Sequence, residues 1–235
     1  MYSITEGLNK AFLLILNLDA ELLGIIFLSL KVSGAALLIA VITGLPLGAV
    51  TGLTRFPLKG FIVSLTNTFM GLPPVVVGLF LYLLLSRSGP LGFMDLLYSP
   101  SAMVMAQSIL AFPIAASLSH SAIVSVDPVI RQASVTLGAT PFQVTLNIMR
   151  EARYGIISGV IAAFGRVMAE VGAILIVGGN IAGYTRVMTT TIALETDKGN
   201  FELAVALGII LLTISLIINA ALHMFQKKGM LYLNA

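Results

Sequence analysis

The chain has 235 residues, 58% hydrophobic and 10% charged, with a net charge of +3 and a mean hydropathy of +1.03. Soluble globular chains carry about 25% charged residues, so the composition excludes a water-solvated monomer and defines a membrane protein. The dispersed basic residues exclude a nucleic-acid patch, the lack of cysteine excludes disulfides and thiolate metal sites, and His120 and His223 are too far apart in sequence to suggest a metal centre.

Residues 1–20 read as an amphipathic helix lying in the membrane interface. Ile4, Leu8, Ala11, Phe12 and Ile15 fall at helical spacing. Glu6 ahead of Lys10, and an apolar run confined to Ala11–Leu18, do not fit a cleaved signal. Residues 21–228 then hold five hydrophobic stretches, where a membrane helix needs about 20 apolar residues. They are Leu22–Thr54, Phe61–Ser86, Leu96–Val126, Tyr154–Thr185 and Leu203–Gln226. Several exceed the bilayer and must tilt, project beyond it or include loops. Residues 229–235 form a tail.

Lysine and arginine in the connections set the expected orientation. Arg55, Lys59, Arg131, Arg150, Arg153, Lys227 and Lys228 fall in alternate connections, while the opposite connections mix Lys10, Arg87, Arg186 and Lys198 with most of the acidic residues. The first set belongs in the cytoplasm, which puts the N-terminus outside and the C-terminus inside.

Inside the stretches, Pro46, Pro73, Pro74 and Pro113 mark kinks, and the Gly71-Leu72-Pro73-Pro74 cluster is the one to place beside a pathway. Gly44, Gly48 and Gly52 form a stripe suited to close helix packing. Arg166 and Glu170, four apart in the fourth stretch, are expected on one helix face. They line an anion route or form an internal ion pair that fixes packing. Lys31 snorkels outward or faces a dimer interior. His120 reads as a packing residue. Thr185, Thr189, Thr190 and Thr191 face solvent or meet an external protein or the entering anion.

The connection spanning residues 127–155 is the most informative. Asp127-Pro128 is a helix cap and first residue, Gly138 is a left-handed stop, and Thr140-Pro141 starts a second helix. Two short helices joined at glycine form a compact knob on the cytoplasmic side.

Gln132-Ala133-Ser134 followed by Gly138 resembles the Glu-Ala-Ala-x-x-x-Gly loop of ABC importer permeases, without its acidic first residue. Gly71 to Gly78 resembles the second span of molybdate and tungstate permeases. Arg150 to Gly155, Phe164 to Ala173, Val177 to Asn180 and Thr185 to Thr190 are similar to the tungstate branch.

This resemblance, over about residues 22–225, implies an all-α, type I importer transmembrane domain in a bacterial or archaeal cytoplasmic membrane. It implies a second copy of the chain, two cytoplasmic ATP-binding subunits and an external oxyanion-binding protein as partners. The loop Gln132, Ala133, Ser134, Gly138, Ala139, Thr140, Pro141 and Phe142 would couple to the ATPase. No Gly-Lys pair occurs in the chain, so it lacks a P-loop, and ATP and Mg are expected on the partner. The expected cargo is tungstate, with molybdate the alternative. An ion-coupled secondary transporter is the competing class, but the two halves show no internal repeat.

Overall fold

The computed structural model describes residues 12–13 and 20–231. Residues 1–11, 14–19 and 232–235, which hold most of the expected interfacial helix and the end of the tail, lie outside that description. The described chain is helical: α1 (Ala20–Leu53), α2 (Lys59–Phe69), α3 (Pro74–Leu85), α4 (Pro100–Val124), α5 (Pro128–Thr136), α6 (Pro141–Met168), α7 (Gly172–Gly178), α8 (Met188–Asp197) and α9 (Phe201–Leu231). Among the described residues, α1, α4 and α9 are long and apolar enough to cross a membrane alone, and α2 with α3, and α6 with α7, do so as interrupted pairs. Counted this way the described residues hold up to five spans, two of them bent, by 102° between α2 and α3 and by 55° between α6 and α7.

The breaks follow from local chemistry. Pro73 and Pro74 lack amide protons, so α2 ends at Phe69 and α3 restarts with Pro74 at its first turn. Pro46 and Pro113, by contrast, sit inside continuous helices. The fourth hydrophobic stretch is also less continuous than its composition predicts. α6 stops at Met168, and α7 stops at Gly179, which adopts a left-handed φ of 69°.

The residues cluster into two compact units, one of 1–36, 73–107 and 167–221, the other of 37–72, 108–166 and 222–235. In the second unit α4 runs between α1 and α6. The Gly44-Gly48-Gly52 stripe packs on α4: a β-carbon on Gly48 would stand 2.6 Å from the Ala116 carbonyl oxygen, and one on Gly52 2.7 Å from Ile123 Cγ2. On the other flank a β-carbon on Gly155 would lie 2.6 Å from that of Ala122, and one on Gly159 2.9 Å from that of Leu118. Small residues on both neighbours let the backbones approach, which is how helices associate without a hydrophobic drive between them. His120 Nδ1 lies 3.0 Å from Thr51 Oγ1. Because that hydroxyl donates to the Leu47 carbonyl at 2.8 Å, it accepts from the imidazole, which places the proton on Nδ1. His120 thus joins α4 to α1 through a side-chain hydrogen bond.

In the first unit the four threonines do not face solvent. Thr185, Thr189, Thr190 and Thr191 are buried, and their hydroxyls bond to main-chain carbonyls of Gly178, Glu170 and Val187. Burial is tolerated because each hydroxyl finds an acceptor. Ser29 Oγ accepts the Met188 amide at 2.8 Å and so ties α8 to α1. Glu195, also buried, takes hydrogen bonds from Lys198 Nζ at 2.9 Å and Asn200 Nδ2 at 2.8 Å. Those donors hold its carboxyl below its ordinary value, against the opposing effect of burial. Lys31 is exposed.

The glycine contacts make a stability prediction. Gly48→Ala should cost about 1–3 kcal/mol through overpacking. Gly24→Ala, with no atom within 4 Å of the new methyl, should be neutral or slightly stabilising. Thermal unfolding of the purified chains in detergent checks both.

Candidate functional site

The knob is built as its residues dictate. Asp127 Oδ1 accepts the Val129 amide at 2.8 Å and caps α5. At the far end Gly138 takes φ 79°, and the amides of Gly138 and Ala139 reach the carbonyls of Val135 and Ser134 at 3.0 Å each. This paired closure is the glycine stop. Thr140 and Gln143 then cap each other: the Thr140 amide donates to Gln143 Oε1 at 2.8 Å, and the Gln143 amide to Thr140 Oγ1 at 3.4 Å.

The second helix of the knob is not short. α6 continues unbroken for 28 residues, because nothing between Pro141 and Met168 stops it, so the knob rides on the end of a span.

Of the signature positions, Ser134 is buried, donates to the Ile130 carbonyl at 2.8 Å and accepts from Asn147 Nδ2 at 3.3 Å, which stitches α5 to α6. Gln132, Ala133, Gly138, Thr140 and Pro141 are exposed and Ala139 is half-buried. Beneath them Ile123, Val144, Ile148, Ala152 and Ile156 form an apolar core. Facing outward are Val129, Val135, Leu137 and Phe142, with Leu137 86% exposed and Phe142 75%. These side chains are bare in the single chain, on α5, at the turn after it and at the start of α6. Val129, Val135 and Leu137 were not legible as a surface set from their sequence spacing.

The breaks form the second candidate region. In the second unit Arg166 Nη2 donates to the Leu72 carbonyl at 3.3 Å, beside Pro73 and Pro74. In the first, α3 packs on α7: a β-carbon on Gly78 would lie 2.9 Å from Ala173 Cα, and one on Gly172 3.1 Å from Val75 Cγ2.

Glu170 does not share a helix face with Arg166. It lies past the end of α6, and its Oε1 accepts the Ala173 amide at 2.9 Å at the start of α7. The expectation fails because the helix that would align the two residues ends between them. Gln107 Nε2 donates to the Val167 carbonyl at 3.0 Å, and Thr189 Oγ1 to the Glu170 carbonyl at 2.8 Å. Main-chain groups freed by the interruption are thus met by side chains, as hydrocarbon requires. Gln107 was invisible to sequence reasoning, since a lone amide in an apolar run gives no hint of what it bonds.

Long apolar helices, two of them interrupted, together with an exposed knob fit a subunit that crosses the membrane several times. Residues 44–228 match the model of the family described as binding-protein-dependent transport system inner membrane component, and the chain belongs to that family. The chain is 42% identical over 97% of its length to the whole of the tungstate uptake system permease protein TupB of Peptoclostridium acidaminophilum. It is 46% identical to a probable anion ABC transporter permease protein of Haloferax volcanii, covering 88% of this chain and 91% of that one. The structure of a bacterial ABC transporter that imports the acidic polysaccharide alginate matches with a TM-score of 0.75 at 18% identity, over 93% of this chain and 83% of that one. The fold observed is the type I importer fold expected from the resemblance.

The cap on α7 is testable. Glu170→Ala should destabilise the protein by about 1 kcal/mol or more through loss of the acceptor for Ala173, while Glu170→Gln keeps an acceptor there and should lose less. Unfolding temperatures of the two variants in the same detergent rank them.

Proposed function

We propose that the chain is the permease subunit of an ATP-driven importer carrying a tetrahedral oxyanion, tungstate, across a bacterial or archaeal cytoplasmic membrane. The observation that carries this reading is its end-to-end similarity to a tungstate uptake permease. Two copies enclose the route, and an external binding protein delivers the anion. Two separate ATP-binding subunits, which hold ATP and Mg, dock on the knob at Leu137–Phe142. The basic connections, including Arg55 and Arg131, lie in the cytoplasm.

Force enters at the knob. α6 begins at Pro141 and runs 28 residues, roughly 40 Å at about 1.5 Å per residue. A push at its first turn therefore reaches the interruption at residues 169–171. Rocking of the two chains opens the route alternately to each side. The interior needs only weak attraction for the anion, since tight binding would slow its exit. Arg166, with its guanidinium on the Leu72 carbonyl, supplies that attraction next to the proline break.

Two outcomes test this reading. Gly138→Val should cost on the order of 1–2 kcal/mol at the left-handed turn, and ATP hydrolysis should then no longer respond to loaded binding protein. Normal coupled hydrolysis would remove the knob from the mechanism. In vesicles holding permease and ATPase, tungstate uptake measured by mass spectrometry should require both ATP and binding protein, with molybdate carried less well and sulfate hardly at all. Uptake driven by an ion gradient without ATP would refute the importer class. Sulfate uptake equal to tungstate would refute the cargo alone.

A further inference from the structure

The second unit holds a cavity of about 270 Å³ where the ends of α1 and α4 meet α5. Three cations line it from separate elements: Arg55 just after α1, Lys59 at the start of α2, and Arg131 on α5. Asp127 also lines it, but its Oδ1 is engaged in capping α5. Among the described residues no carboxylate is ion-paired with any of the three cations. Lys59 Nζ reaches only the Thr54 carbonyl, at 3.2 Å, and both arginines are exposed. Apart from Thr54, whose hydroxyl bonds to the Val50 carbonyl, the rest of the wall is apolar, contributed chiefly by Leu53, Ile123, Val124, Val126 and Ile148. The connection that presents Lys59 holds Leu58 at φ 69° and leaves it 73% exposed, with Phe61 65% exposed two residues beyond Lys59.

Three cations around one cavity, with Asp127 the single carboxyl group in its wall and no ion pair to any of the three among the described residues, leave an excess of positive charge that calls for an anion. A free inorganic anion is satisfied by the cations and has no use for the apolar wall. A phospholipid uses both, placing its phosphate among the cations and the first part of its acyl chain on the aliphatic side chains. The site also stands where the long apolar helices α1 and α4 end, and basic pockets between such helix ends are suited to acidic lipids. We propose that Arg55, Lys59 and Arg131 form a binding site for the phosphate of an anionic phospholipid. Bound there, the lipid ties α5, the first helix of the knob, to the ends of α1 and α4. The proposal does not depend on which anion the protein transports.

The test uses the full-length chain, purified and delipidated in detergent, with native mass spectrometry to count bound molecules. Phosphatidylglycerol, phosphatidylcholine and inorganic phosphate are titrated separately. Phosphatidylglycerol should bind tightly and phosphatidylcholine at least tenfold more weakly. Each cation removed should weaken phosphatidylglycerol about fivefold, so Arg55→Gln with Lys59→Gln should raise its half-saturation about twentyfold or more. The exchange Arg55→Lys with Lys59→Arg keeps both charges and should restore binding, which separates loss of charge from loss of fold. Arg87→Gln, in the other unit, should change nothing. Equal binding of phosphatidylcholine, or unchanged binding to the double glutamine variant, would overturn the site. Half-saturation by inorganic phosphate at the same concentration as the lipid would overturn the lipid as its occupant.

Discussion

In hydrocarbon an unpaired peptide group costs several kcal/mol, and that constraint governs where this chain can bend. A helix meets the requirement by itself, but an interrupted helix must borrow partners. Those partners come from far along the sequence: Gln107 for the carbonyl of Val167, Thr189 for that of Glu170, and Arg166 for that of Leu72. Glu170 supplies its own carboxylate to the amide of Ala173. These polar side chains are what make interruptions at residues 70–73 and 169–171 compatible with a membrane setting. Without them the carbonyls left over at the two breaks would face hydrocarbon unpaired.

The same economy shapes the knob. The knob has few residues of its own, because its second helix is the first turn of a span. Its shape is held by the cap at Asp127, the stop at Gly138, the reciprocal Thr140–Gln143 pair and the Ser134–Asn147 contact. It rests on an apolar core drawn from α4 and α6. An element so tightly stitched to a span must move with that span as one piece.

Much of this was legible in the sequence. The apolar stretches, the proline break at Pro73–Pro74, the cap of α5 at Asp127 and its stop at Gly138 follow from hydropathy and from residues with narrow conformational roles. The rest depended on contacts between distant segments. The end of α6 at Met168 carries no proline, so Arg166 and Glu170 looked like neighbours on one face. The four threonines looked like a solvated outer face, because a hydroxyl in sequence does not reveal whether a carbonyl waits for it. The glycine stripe on α1 announced close packing but not that α4 was its partner.

Two glycines already described resist substitution for opposite reasons, and genetics would tell them apart. At Gly48 the obstacle is volume, since the carbonyl of Ala116 and the side chain of Ser119 occupy the space. A defect there can be relieved by a second change that makes α4 slimmer. At Gly138 no atom stands within 4 Å of the β-carbon position, and the obstacle is handedness alone, at φ 79°. No neighbour can be trimmed to help. Relief must come at position 138 itself, and among other residues only asparagine or aspartate enters that conformation readily. Suppressor searches begun at the two sites should therefore return different kinds of answer, dispersed along the facing helix for one and confined to a single codon for the other.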